Sequence, residues 1–163
     1  MIVVQDANLL IDLYEVDLLA SFFALRYESH STDLVLYEID QPIHKHVKNG
    51  QIRQHVLTHE QLEQILQIQI TSKNGISLPD SSVLWLTQEL GCDARLLTGD
   101  NKLRQCAENN GIKVHGLLWI LDRLVENKIV TAKIMVSKIE NLLHIGSRLP
   151  NEECKKRIEN WKK

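Results

Sequence analysis

Between Ala94 and Arg104 the chain reads Ala-Arg-Leu-Leu-Thr-Gly-Asp-Asn-Lys-Leu-Arg, an apolar strand that stops on a glycine and a carboxylate with a helical pattern directly behind it. Gly99 permits a sharp turn there, and Asp100 stands at the strand's carboxyl end just ahead of the helix. A strand this short and apolar has to be covered on both faces, which calls for parallel neighbours and helices above and below. Open parallel α/β sheets build their sites along the carboxyl edge. The other acids that reach that edge therefore decide what the chain can do.

Reading from the start, Ile2 to Gln5 form a first strand ended by Asp6-Ala7-Asn8, and Leu9 to Leu13 open a helix. Val16 to Leu25 continue in helical spacing, and Arg26 to His30 make a second strand. Thr32 as N-cap predicts a helix over Leu34 to Ile39 with Glu38 about one and a half turns in. Pro42 is expected to kink or end it before the Lys/His-rich stretch to Lys48, and Asn49-Gly50 mark a turn. Ile52 to Leu57 form a third strand, followed by a capping box at Thr58-His59-Glu60-Gln61 and a helix through about Gln67 with a solvated glutamine face. Lys73-Asn74-Gly75 break the chain. Ser77 to Ser82 start another helix with Pro79 in its first turn; Gly91 ends it, and Asp93 leads into the fourth strand. The helix after Asp100 closes at Asn109-Asn110-Gly111, and Ile112 to His115 make a fifth strand.

The alternation predicts an α/β fold, a parallel central sheet flanked by helices and joined by right-handed crossovers. Beyond Gly116 the pattern changes to successive amphipathic helices with no strand between them, Pro150 fitting the first position of the last. The expected organisation is a core domain over residues 1–128 and a helical C-terminal extension over 129–163, packed on the same domain or at an interface. A homodimer would cover the apolar stripes from Leu117 onward if the sheet does not.

Four carboxylates then stand out: Asp6 after the first strand, Glu38 in the helix after the second, Asp80 in a first turn, and Asp100 after the fourth strand. Each has a bland reading, since an Asp ahead of a helix caps it and Glu38 fits a surface. Together they belong to one edge. Two carboxylates about 4 Å apart repel by roughly 4 kcal/mol at an effective dielectric near 20, so a cluster of four calls for a compensating cation. Oxygen-only ligands suit Mg²⁺ or Mn²⁺ better than zinc.

Asp6-Ala7-Asn8, Thr32 to Glu38, Leu78-Pro79-Asp80 and Leu96-Leu97-Thr98-Gly99-Asp100 resemble, in order, the four signature segments of the PIN-domain ribonucleases, which include the toxins of many prokaryotic toxin–antitoxin pairs. The resemblance spans about residues 1 to 125, and Thr-Gly-Asp is its most distinctive part. It implies that Asp6, Glu38, Asp80 and Asp100 hold Mg²⁺ or Mn²⁺ as catalytic acids, with Asn8 and Thr98 supporting the site. The activity implied is divalent-metal-dependent endoribonuclease cleavage of RNA, with an antitoxin protein as the associated partner. Lys102 and Arg104, just after Asp100, are candidates for phosphate contact, against a solvated helix face.

Other readings are constrained by composition and motif. With 19 basic and 21 acidic residues the net charge is −2, so bulk electrostatics alone would not hold a polyanion. Cys92, Cys106 and Cys154 are widely spaced and unpaired in pattern, which points to reduced thiols. The start lacks a signal-peptide pattern and no apolar run approaches about 18 residues, so a cytoplasmic protein with no membrane span is expected. His44/His46 and His55/His59 read as surface histidines, and Trp85, Trp119 and Trp161 as packing residues. A haloacid-dehalogenase-type phosphatase needs a second Asp where Asn8 stands, and a receiver domain needs paired acids absent at Gln5-Asp6. The non-enzymatic rival is a catalytically inactive PIN-like interaction subunit.

Overall fold

The computed structural model describes residues 1–73 and 75–162; Asn74 of the expected break and Lys163 at the end of the tail lie outside the described residues. Strand β1 (Ile2–Gln5) occupies the middle of a five-stranded parallel sheet ordered β3-β2-β1-β4-β5. Its partners are β2 (Glu28–Thr32), β3 (Arg53–His55), β4 (Ala94–Leu97) and β5 (Lys113–His115). Val3, Val4, Leu96 and Leu97 are wholly shielded, as central strands covered on both faces must be. From β1 the chain steps outward through β2 to β3, then returns on the far side of β1 as β4 before reaching β5. That reversal puts the topological switch between β1 and β4, which pair Val4 with Leu96 and Gln5 with Leu97.

Helices α1 (Ala7–Glu15), α2 (Leu19–Ala24), α3 (Asp33–Tyr37), α4 (Gln41–Lys48), α5 (His59–Thr71), α6 (Leu78–Glu89) and α7 (Asn101–Asn109) fill the connections. α6 is sealed between α5 and strands β1, β2 and β4, and every residue from Ser81 to Thr87 is buried. A helix hidden all round must satisfy its own hydroxyls. Ser81 donates to Ser77 O at 2.8 Å, Ser82 to Pro79 O at 2.6 Å and Thr87 to Val83 O at 2.6 Å.

Several boundaries differ from the sequence expectation for identifiable reasons. α3 stops at Tyr37 with Glu38 as its C-cap, and Pro42 starts α4 instead of ending α3, with Asp40 at the N-cap. A first helical turn leaves its N–H groups unpaired anyway, so proline opens a helix as readily as it closes one. Asp17 (φ 54) and Arg26 (φ 57) take left-handed conformations. These delay α2 to Leu19 and move the second strand to Glu28–Thr32. The third strand is three residues long, shorter than expected, and Pro150 stands at the N-cap of the last helix, outside its first turn.

Helices α8 (Leu117–Glu126), α9 (Ala132–His144) and α10 (Asn151–Trp161) complete the chain. Met135, Ile139, Leu142 and Cys154 are fully buried in the same hydrophobic core as Val3, Leu10 and Leu121. Arg157 of α10 clasps Asp122 of α8, with Nε 2.9 Å from Oδ1 and Nη2 2.8 Å from Oδ2. Among the described residues no helix is long and apolar enough to cross a membrane.

Candidate active site

Asp6 leaves the end of β1 where the strand order reverses, and only 2% of it is exposed. Its Oδ1 accepts from Leu9 N at 2.8 Å, capping α1, while Oδ2 accepts the Thr98 hydroxyl. That hydroxyl in turn accepts from Asp100 N at 2.9 Å. One threonine therefore ties the ends of β1 and β4 together, and the backbone repeats the tie through Asp6 N to Leu97 O at 3.2 Å. Burial pushes the Asp6 carboxyl up to about 6; the bonds from Thr98 and Leu9 oppose that shift, and the charges of Asp80 and Asp100 add to it.

Asp80 sits in the first turn of α6 within a reciprocal capping box. Its Oδ2 accepts from Ser77 N at 3.3 Å and Ser77 Oγ at 2.7 Å, and Ser77 Oγ accepts from Asp80 N at 3.1 Å. Asp100 caps α7, its Oδ1 accepting from Lys102 N at 2.8 Å and Leu103 N at 2.9 Å. Glu38 is exposed at the end of α3; partial burial raises its pKa first, and the charge of Asp80 second. α3 and α6 are joined where Thr32 Oγ1, at the N-cap of α3, lies 2.7 Å from Ser82 Oγ inside α6, a contact that spacing alone does not reveal.

The capping role and the shared edge hold together. Asp80 Oδ1, Asp100 Oδ2 and the Glu38 carboxylate make no hydrogen bond among the described residues, so each cap occupies one oxygen and leaves another unused. The charges are felt across the edge, Asp6 by Asp80 and Asp100, Glu38 by Asp80. Among the described residues, however, no three His, Cys, Asp or Glu side chains close on one point as a ligand set. The donor chemistry fits a hard divalent cation, while the side chains stand apart in their capping positions.

Of the supporting candidates, Thr98 is fully buried at the centre of the site and Asn8 is exposed at its rim. Gly99 makes its turn without a left-handed backbone, and a Cβ there would meet nothing within 4 Å, so the position opens space beside the acids. Arg104 turns back over the site, Nη2 donating to Thr98 O at 3.3 Å, whereas Lys102 is exposed on the helix surface. Of the histidines read as surface residues, His59 is exposed, whereas His46 and His55 depart from that reading. His46 is buried and its Nδ1 lies 2.6 Å from Gln51 Oε1, and half-buried His55 stacks on His30 with Nε2 2.7 Å from His30 Nδ1. Burial lowers the pKa of both His30 and His55, and His30, 25 residues from His55, carries no spacing that marks it as the partner.

One protein-family model, described as a PIN domain, matches residues 2–163 and so takes in α9 and α10 as well as the four acidic segments. No curated protein and no solved structure matches the chain.

Proposed function

Because the chain belongs to the PIN-domain family, a family of nucleases, we propose that it is a cytoplasmic endoribonuclease that hydrolyses RNA phosphodiester bonds with Mg²⁺ or Mn²⁺. The observation that supports this most is the buried Asp6 carboxyl at the β1/β4 switch, tied to Thr98 and raised by the charges of Asp80 and Asp100. Asp6, Glu38, Asp80 and Asp100 would hold the cation. When bound, it would supply positive charge to the scissile phosphate and lower the pKa of the attacking water. The chain's own residues do the positioning. Thr98 fixes the Asp6 carboxylate, Asp100 and Asp80 are held by their helix N-termini, and Gly99 leaves room for a phosphate to approach. Since Asp6 carries its charge only above about pH 6, cation binding and cleavage should rise through that pH.

The test is cleavage of a labelled RNA with Mn²⁺ and with EDTA. Asp6→Asn and Asp100→Asn are expected to abolish divalent-dependent cleavage with unchanged circular dichroism, and full activity in both would overturn the mechanism. In the toxin reading, an antitoxin and a second copy of the chain are the protein partners. Expression of the chain alone should then arrest a bacterial host, and Asp6→Asn should relieve the arrest. The second reading, a catalytically inactive interaction subunit, is favoured by the absence of a closed three-ligand set among the described residues. Calorimetric titration separates the two: no heat of binding at millimolar Mn²⁺ selects the interaction subunit.

A further inference from the structure

Next to the acids, the turn between α9 and α10 closes a cleft of about 520 Å³ against the start of α1, the Gly99–Asp100 turn and the start of α8. That volume falls within the roughly 300–1,000 Å³ of sites that take a small-molecule-sized group such as a nucleotide. Asn8 and Asp100 belong both to this cleft and to the candidate active site. Two guanidinium groups, Arg104 and Arg148, line its walls.

Arg104 reaches the cleft because position 116 has no side chain, for a Cβ there would stand 3.1 Å from Arg104 Nη2. Its ion pair with Glu108 is loose, at 3.7 Å, and its bond to Thr98 O is long, at 3.3 Å, so its donors are only weakly engaged. Arg148 is exposed and makes no ion pair with any described residue. The turn that carries it is pinned: Ser147 Oγ donates to Asp12 Oδ1 of α1 at 2.8 Å, Ser147 N to Leu142 O at 3.0 Å, and Leu149 N to Ser147 O at 2.8 Å. Trp119 also lines the cleft, but His115 covers its ring at 4.1 Å and 9°, so it serves as a wall and not as a stacking platform.

A chain of net charge −2 whose active edge is acidic repels phosphates unless cations flank that edge. From this arrangement we infer that the cleft holds single-stranded RNA on one side of the scissile bond, Arg148 and Arg104 contacting its phosphates and the α9–α10 turn forming the outer wall. The inference rests on the endoribonuclease reading. It gives the C-terminal helices a task in substrate binding, with Ser147 and Asp12 as positioning residues for Arg148.

The test is fluorescence anisotropy of a labelled oligouridine with the full chain, in an Asp6→Asn background to suppress cleavage, across a salt series. Arg148→Ala should weaken binding several-fold to about tenfold and flatten the slope of log affinity against log salt by about 0.7, one phosphate contact on a single strand. Ser147→Ala should weaken binding in the same direction with both arginines in place. Arg148→Lys should restore most of the slope. Lys133→Ala is the control, since it lies in the first turn of a 13-residue helix, about 20 Å of helix away from the turn. RNA binding by the parent protein with no change in Arg148→Ala would overturn the cleft assignment alone. No RNA binding by the parent protein would overturn the endoribonuclease reading and this inference with it.

Discussion

Asp6 holds its carboxyl at about 6 against an ordinary 3.8, chiefly through burial, so between those values the folded chain keeps a proton that the unfolded chain has lost. Stability therefore falls as pH rises through that window, and above it the penalty is fully present, at most roughly 3 kcal/mol. Asp6→Asn keeps the cap to Leu9 and removes the charge. It is expected to raise the melting temperature at pH 7.5 by several degrees, with the gain shrinking toward pH 4; a gain independent of pH would show that the buried charge is not its source. Thr98→Val leaves Asp100 N without its acceptor and Asp6 Oδ2 without its donor, and should cost about 1–3 kcal/mol in urea denaturation. Asp6, Thr98 and Asp100 were legible in the sequence because each sits within a few residues of a strand end. Arg148 was not, because Ser147 and Asp12 are 135 residues apart and a turn has no periodicity to mark it.

Among the elements, α6 carries the most structure for its length: sealed on all sides, it presents Asp80 at its first turn and receives Thr32 at Ser82. Ser77→Ala removes one half of its capping box and is expected to cost about 1 kcal/mol, within the 0.5–2 range of such losses, read as a lower urea midpoint at unchanged slope. An unchanged midpoint would mean that packing alone fixes the start of α6. Both capping boxes were readable, Thr58 with Gln61 and Ser77 with Asp80, because their signal lies within four residues. Pro42 was misread for the complementary reason. A proline lacks the N–H that a helix interior needs, a lack that suits a helix's end and equally its first turn, where Pro42 follows Gln41 in α4.

At the level of the whole molecule, α9 and α10 share one core with the sheet, so the chain should unfold as a unit. Leu142→Ala, at a fully buried position in α9, is expected to destabilise by roughly 2–5 kcal/mol, and Trp fluorescence and far-UV circular dichroism should shift together. Separate transitions would make the C-terminal helices an independent unit. The sheet order could be anticipated only as far as its parallel class, since neighbour choice is made by contacts distant in sequence. That distance has a consequence for how the protein is made. β1 sits at the centre of the sheet, yet Asp6 and the hydroxyl that fixes it are 92 residues apart. On the ribosome the opening strand therefore waits with one flank bare until β4 has been translated. A half-finished chain therefore has no assembled acidic edge, and one side of its central strand keeps its backbone groups unpaired until the fourth strand arrives.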